Sequence, residues 1–200
     1  QLTADVTKLA IGEHTLTSHC DPKGKMSALF RLYRAQAEQF FAIIRCELLP
    51  EALVQLKKYA VFSKVTFTEL DTPLFGVANA TTLANLSENA TALVLSCAQK
   101  RAIVWGETLT THGESALWDL ADIQDGLPIL AKANQFELIP QAANLQAVEN
   151  AISFTKGCYI GQETVARAKY RGANKRAMFT LVGQVAGEIT LPEIASSIEM

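Results

Sequence analysis

The chain has 200 residues, of which 49% are hydrophobic, and a formal net charge of −2. This composition predicts a folded core and excludes a disordered protein, and the near-neutral charge provides no global field for binding nucleic acid. The longest apolar runs are far shorter than the ~20 residues of a membrane-spanning helix, and no signal peptide is recognisable, so we expect a cytoplasmic protein.

The first half of the chain predicts strands and helices in close succession. The turn sequence DPKG, residues 21–24, separates two strands between residues 14 and 34, and a third strand is expected over residues 40–49. A helix is predicted from Pro50 to residue 62, because proline favours the first helical turn. Consecutive strands with intervening helices indicate an α+β fold with antiparallel sheets and packed helices.

Further short elements follow along the chain. Strands are predicted over residues 64–70 and in LFGVAN, TALVLSCA and RAIVWGETL, and helices in ATTLANLSENA and residues 114–124. Proline-punctuated loops are expected in GLPIL and ELIPQAANL. The tail AMFTLVGQVAGEITL predicts a strand, a turn and a strand, which is too little for an independent domain.

The four cysteines are widely separated and form no CxxC pair, which argues against a zinc or dithiol motif. Cys46 and Cys97 lie in apolar, strand-like runs, so we expect both thiols to be buried. The histidines have no ligand spacing typical of a metal site, and none is predicted.

The segment KGCYIGQETVARAKYRGANKR, residues 156–176, concentrates reactive and charged groups. A helix is predicted to begin at Gly161 or Gln162, which places Cys158 just before its N-terminus. The helix dipole, with Lys156 nearby, would then stabilise a thiolate. The alternative is a small buried residue between two glycine-containing turns.

Charged and aromatic side chains continue along this segment. Glu163 and Arg167 are spaced to pair on one helix face, which would either stabilise the helix or hold Arg167 for an anionic ligand. The cations between residues 167 and 176 would contact phosphates, bind the carboxylates of a small molecule or simply form a solvated face. Tyr159 and Tyr170 are candidates for stacking on a ligand, whereas the residues around Trp118 by themselves favour packing.

The block KGCYIGQE, residues 156–163, resembles a signature of the YgfZ family of folate-binding proteins, relatives of the glycine-cleavage T-protein, an aminomethyltransferase. Further similar stretches are QLTADV, HCDPKGKM, LKKYAVFSKV, GLPIL, IPQAANLQAV and VARAKYRGANKR. The resemblance implies an aminomethyltransferase-like folate-binding fold over residues 1–174, without the family's first strand–helix unit. It also implies the beginning of a truncated C-terminal β-barrel over residues 175–200.

The same resemblance implies a monomeric cytoplasmic accessory protein that binds tetrahydrofolate or a one-carbon derivative. The family is linked to tRNA modification, to iron–sulfur enzyme maintenance and to replication initiation through the ATP-bound initiator DnaA. Iron–sulfur enzymes such as the tRNA thiomethylating enzyme are expected partners, and tRNA contact would be indirect or weak. We expect no catalytic activity of the protein's own.

Site residues also follow from the resemblance. A folate-contacting tryptophan of the family lies eight residues before the glycine of a G-[LF]-P segment, and Trp118 lies eight before Gly126. This implies a ligand-stacking role for Trp118 in place of packing. The family motif is matched by Lys156, Gly157, Cys158, Tyr159, Gly161, Gln162 and Glu163. Cys158 is the implied functional thiol, and Tyr159, Gln162, Glu163 and Arg167 are the further implied folate contacts.

Two alternatives stay open. An aminomethyltransferase, transferring an aminomethyl or formyl unit, needs an acid–base carboxylate beside the folate, for which Asp5 and Glu163 are candidates. A direct tRNA-binding protein would use the basic residues between 167 and 176.

Overall fold

The computed structural model describes residues 1–61, 63–98, 100–148 and 150–183. The predicted α+β architecture with antiparallel sheets is confirmed, since the strands form two three-stranded sheets, ordered β1-β2-β3 and β4-β6-β5. The strands are β1 (His14–Cys20), β2 (Met26–Gln36), β3 (Gln39–Ile44), β4 (Phe75–Val77), β5 (Thr91–Val94) and β6 (Ala102–Trp105). The α-helices are α1 (Leu49–Tyr59), α2 (Ala80–Ala84), α3 (Ser115–Gln124) and α4 (Gln162–Tyr170).

Short 3₁₀ helices fill much of the loop region. They span Val6–Lys8, Cys46–Leu48, Lys132–Asn134, Pro140–Ala143 and Leu145–Ala147. Residues 175–183 form no strand, and those from 184 onward lie outside the described part of the chain. The boundary at residue 174 and the start of a β-barrel therefore stay predictions.

The first sheet has two different faces because side chains alternate along its strands. Thr17 lies opposite Phe30, and Leu16 lies opposite Arg31. Phe30 packs with Ala52 of α1 in one apolar cluster. The face that carries Leu16 and Arg31 is directed toward the second sheet and α3.

Aromatic side chains join the two sheets. Trp105, at the end of β6, makes edge-to-face contacts with Tyr33 and Phe41, with ring centroids 5.7 and 5.9 Å apart. His14 on β1 also bonds through Nε2 to the carbonyl oxygen of Val94 at 2.9 Å. These contacts place β6 and the following α3 over the first sheet.

Two predictions about the first half of the chain are wrong. β3 ends at Ile44, and Cys46 lies in a 3₁₀ helix with an exposed side chain, because the chain turns there to begin α1. Residues 64–70 form no strand, although their side chains alternate. Almost all of them are exposed, so neither face has a core to bury, and no ladder offsets the cost of ordering the backbone.

His19 makes stability depend on pH. Its ring is fully buried, and burial lowers its pKa from 6.5 to about 4. Below pH 6.5 the unfolded chain therefore binds a proton that the folded protein does not, so the free energy of unfolding falls by about 1.4 kcal/mol per pH unit toward pH 4. Urea unfolding at several pH values measures this slope.

Burial also lowers the pKa of His14, so His14 makes the free energy of unfolding depend on pH in the same direction. Comparison of the wild type with His19→Gln isolates the contribution of His19. Between pH 6 and 4, the slope of the free energy of unfolding against pH should be smaller in the variant, by the amount expected for about one proton. Parallel curves for the two proteins would show that His19 is not the group responsible.

Candidate functional site

A cleft of about 230 Å³ lies between the first sheet and α3. Its apolar lining includes Leu16, Leu29 and Ile43 from the first sheet and Ile103 from β6. Residues 127–130, which follow α3, form another part of its wall. Trp118 on α3 lines the same cleft, together with four charged side chains.

Two contacts, with Arg101 and with Gly76, fix the position of Trp118. The guanidinium of Arg101 lies 4.5 Å from the centre of the Trp118 ring. At Gly76, a Cβ atom would lie only 2.4 Å from Cε3 of Trp118, so the close approach requires glycine. A fixed aromatic ring loses little entropy on binding a flat ligand.

Arg101 is itself held by the end of α3. Its side chain is 1% exposed, and Nη2 lies 2.7 Å from Asp122 and 2.8 Å from Asp125. Burial raises the pKa of Asp122, and the Arg101 guanidinium opposes that shift. The charges of this cluster compensate one another, which allows Arg101 to stay buried while it contacts the half-buried Trp118 ring.

The cleft is also lined by cations, which suit a ligand that carries an anionic group. Arg31 lies opposite Leu16 in the sheet, and burial lowers the pKa of its guanidinium, an effect that Asp122 opposes. Arg45 bonds Asp119 at 2.5 Å, and these two side chains are 39% and 41% exposed. Because both partners reach solvent, the pair can open toward a ligand at small cost.

The cysteine motif lies elsewhere and packs against the N-terminal segment. The ammonium group of Lys156 donates hydrogen bonds to the carbonyl oxygens of Leu2 and Ala4, the second at 2.9 Å, and it lies 4.8 Å from the centre of the Tyr159 ring. The Tyr159 side chain is buried. Lys156 is thus engaged with backbone carbonyls, which gives it a role in fixing QLTADV against the motif.

Two glycines join the motif to the β1–β2 turn. Gly161, the N-cap of α4, has φ +78°, and a Cβ atom there would lie 2.5 Å from the carbonyl oxygen of Asp21. Gly24 also has a positive φ, and its Cβ would lie 2.6 Å from Cβ of Thr164. The two stretches HCDPKGKM and KGCYIGQE therefore meet in space.

Cys158 is exposed, so the alternative of a small buried residue is excluded. The prediction that α4 begins at Gly161 or Gln162 is confirmed, and the thiol-bearing residue precedes that helix end. Gln162 accepts a hydrogen bond from the backbone N–H of Tyr159 at 3.2 Å through its own side chain, which closes the turn between Cys158 and α4.

Thiol alkylation distinguishes the cysteines. Cys20 is fully buried, and burial raises its pKa to about 12, so the native protein should not react there with iodoacetamide at pH 8. Cys158 and Cys46 are both exposed and should react. Mass spectrometry of peptides after a short exposure measures each rate, with urea-unfolded protein as control. Labelling of Cys20 at the rate of Cys46 in the native state would contradict its burial.

The remaining predicted residues form a surface pair on α4. Arg167 Nη2 lies 2.7 Å from Glu163 Oε1, which confirms their predicted pairing. Both side chains are exposed. None of Cys158, Tyr159, Gln162, Glu163 or Arg167 lines the cleft that contains Trp118, so the structure divides the predicted folate contacts between two places.

Asp5, the other carboxylate considered for acid–base chemistry, caps a short helix. It accepts hydrogen bonds from the hydroxyl of Thr7 at 2.6 Å and from the N–H of the same residue at 3.2 Å. The Thr7 hydroxyl bond is the main reason why the pKa of Asp5 is lowered. Asp5 does not line the cleft either. Across the described residues, no group of three His, Cys, Asp or Glu side chains is arranged to hold a metal ion.

Sequence reasoning missed the charged residues of the cleft. Arg31 interrupts the apolar run MSALFRLYR, and this was the available signal, because a charged residue facing the inside of a sheet needs a function or a partner. Arg45, Asp119 and Asp122 carry no such signal. They come together only because the second sheet places α3 over β3.

Relatives among known proteins share most of this chain. An uncharacterized protein from Haemophilus influenzae is 53% identical over the whole chain, which covers 70% of that relative. The tRNA-modifying protein YgfZ of Photorhabdus laumondii is 40% identical, and that of Yersinia pseudotuberculosis is 42% identical, each over 93% of this chain. The chain belongs to the YgfZ family. It spans 64% of the length of the two named YgfZ relatives. No family model matches it.

The membership confirms the resemblance found in the motifs. The stretches QLTADV, HCDPKGKM and KGCYIGQE, which meet in the structure, are three of those that resemble the family. No helix in the described ranges is long and apolar enough to cross a membrane.

Proposed function

We propose that the protein binds a tetrahydrofolate in the cleft beside Trp118 and acts as an accessory protein in tRNA modification. The observation that carries the proposal is the fixed Trp118 ring in an apolar cleft with two arginines at hand. Folates combine flat aromatic rings with a carboxylate tail, and this cleft provides complementary groups for both.

The chemistry of the lining fits such a ligand in detail. The Trp118 ring and the side chains of Ile43 and Ile103 provide surfaces for a flat ring. Asp119 and Asp122 provide acceptors for ring N–H groups, and Arg31 and Arg45 provide donors for carboxylates. Drug-sized ligands occupy pockets of roughly 300–1,000 Å³. A cleft of about 230 Å³ therefore takes one ring system and leaves the tail at the opening.

The tail is the part that Arg167 was predicted to bind. Arg45 is the better candidate for that role, because it lines the cleft and its partner Asp119 is half exposed. A ligand carboxylate would replace Asp119 as the acceptor for the guanidinium. An aminomethyltransferase-like fold is part of the same proposal, supported by the α+β architecture and the family membership.

The names of the YgfZ relatives support the link to tRNA modification. Maintenance of iron–sulfur enzymes, including a tRNA thiomethylating enzyme, and control of replication initiation through ATP-bound DnaA are finer parts of the proposal. Cys158 would supply the functional thiol, supported by its exposure and its place before α4. In a strain lacking the protein, Cys158→Ala should fail to restore tRNA thiomethylation, whereas Cys46→Ala should restore it.

Tryptophan fluorescence tests the binding site directly, because the chain has only Trp105 and Trp118. In the Trp105→Phe protein, titration with tetrahydrofolate should quench Trp118 saturably. In the Trp118→Phe protein the remaining signal should barely respond. In the Trp118→Ala protein, the affinity measured by calorimetry should fall about 10-fold, the typical loss of one stacking contact. Unchanged affinity in the Trp118→Ala protein would show that the ligand does not bind in this cleft.

A further inference from the structure

A basic strip lies along the C-terminal half of α4 and the segment after it. It consists of Arg167, Lys169, Arg171, Lys175 and Arg176, all with exposed side chains. The sequence contains no carboxylate from residue 164 to residue 187, so the strip is purely cationic although the whole chain carries a net charge of −2. Such a local concentration of charge attracts a polyanion without a global field.

Most of these cations are available to a partner. Within the described ranges, the only ion pair of the strip is that between Arg167 and Glu163. Lys169, Arg171, Lys175 and Arg176 form no salt bridge there. A surface cation that has no salt bridge contacts a phosphate without first breaking an ion pair, and it releases the counterions that the phosphate had condensed.

An aromatic ring is exposed in the middle of the strip. Tyr170 is 67% exposed, which is unusual for so large an apolar side chain. Its ring meets Phe154 edge-to-face at 6.0 Å, and the Lys169 ammonium lies 3.9 Å from the Phe154 centroid and 5.5 Å from that of Tyr170. These contacts hold the ring, and its 67% exposure leaves surface for stacking. Cations beside a held aromatic ring are the combination that binds single-stranded nucleic acid.

The segment after α4 is also held in place. Asn174 donates to the carbonyl oxygen of Arg176 and accepts from its N–H, at 2.7 and 3.2 Å. Asn144, from the 3₁₀ region, makes the same two kinds of bond with Met178. A polar concavity of about 440 Å³, lined in part by Lys169 and Asn174, lies beside the strip. The cations are thus displayed on an ordered surface next to a pocket that a nucleotide can enter.

We infer that the basic strip, with Tyr170 at its centre, binds RNA directly, and that an unpaired loop or end of tRNA is the element it takes. The inference rests on the proposed function for its choice of polyanion, since the role in tRNA modification brings the protein to tRNA. Unpaired nucleotides fit better than duplex because their bases are free to stack on Tyr170.

The test is equilibrium binding of the intact protein to unmodified tRNA, followed by fluorescence anisotropy at several salt concentrations. The strip variant Lys169→Glu/Arg171→Glu/Lys175→Glu should bind at least about 30-fold more weakly at low salt, and its logarithmic salt slope should be shallower by about 2. Tyr170→Ala should lose about 10-fold in affinity while it keeps the wild-type slope, because stacking releases no counterions.

The matched control is Lys57→Glu/Lys64→Glu/Lys100→Glu, which makes the same change in net charge at exposed lysines outside the strip. It should bind tRNA within a few-fold of the wild type. Equal losses in the two triple variants, or no binding by the wild type in low salt, would overturn the inference, as would tighter binding to anionic vesicles than to tRNA. Circular dichroism checks folding, and Lys169→Gln/Lys175→Gln repeats the test with a milder change.

Titration with tetrahydrofolate separates this inference from the proposed function. The strip lies outside the cleft, so the strip variant should bind folate as the wild type does. Folate binding without tRNA binding would overturn the strip and leave the cleft proposal intact. tRNA binding without folate binding would overturn the cleft proposal and leave the strip inference intact.

Discussion

Replacing Arg101 with alanine is expected to lower the free energy of unfolding by about 3–5 kcal/mol. Arg101 is 1% exposed and is the cation between Asp122 and Asp125. Without it, two carboxylates at the end of α3 lose their compensating charge in a largely buried site. Since domains are stable by only about 5–15 kcal/mol, much of the protein should be unfolded at mild denaturant concentrations. Urea unfolding followed by circular dichroism measures the change.

Arg45→Ala is the control, because it also removes an arginine that pairs with an aspartate of α3, but both partners of this pair are half exposed. Its expected cost is at most about 1 kcal/mol. A second comparison adds Asp125→Asn to the Arg101→Leu protein, which should recover part of the lost stability, because the nearly buried Asp125 is then neutral and Asp122 still has Arg31 as a neighbouring cation. Similar costs for Arg101→Ala and Arg45→Ala would show that burial does not govern this cluster.

Gly161→Ala is expected to cost about 3 kcal/mol, the second large effect. About 1–2 kcal/mol comes from holding a side-chain-bearing residue at φ +78°. The rest comes from overlap, since the new Cβ would lie 2.5 Å from the Asp21 carbonyl oxygen and 2.7 Å from Cα of Gly24. Both neighbours are backbone atoms, which cannot move aside as the tip of a side chain can. Thermal unfolding and the exposure of Cys20 to alkylation should both report the opened contact.

Gly172→Ala is the matched control. Gly172 also has a positive φ, +60°, but a Cβ there would meet no atom within 4 Å. It should cost only the conformational part, about 1–2 kcal/mol. If the two variants were equally destabilised, the packing of the turn against α4 would contribute nothing beyond backbone strain.

Local patterns were sufficient for the first sheet. The turn sequence DPKG between alternating strands predicts β1 and β2, and the bond from Gly24 N–H to the Asp21 carbonyl, at 2.9 Å, closes that turn. They were insufficient where tertiary contacts decide. Residues 64–70 alternate like a strand but have no core to cover, and Cys46 lies at a bend toward α1 that its apolar neighbours do not reveal.

The candidate site was predicted in part. The family resemblance implied a ligand role for Trp118, whereas its own neighbours favoured packing, and the structure places its ring in a cleft. The grouping of Arg31 and Arg45 with Trp118 brings together β2, the residue after β3 and α3, and no spacing along the chain predicts such a contact. The meeting of Gly24 with Gly161 is equally remote in sequence. The sequence reflects that contact only in the glycine at each of the two positions, which the close approach requires.

A crystal structure of the protein grown with tetrahydrofolate tests the central claim most directly. The cleft model predicts density for a flat ring against Trp118, with the carboxylate tail directed toward Arg45 and the Arg45–Asp119 contact opened. Density for the ligand beside Cys158 and α4, with the cleft unchanged, would contradict it.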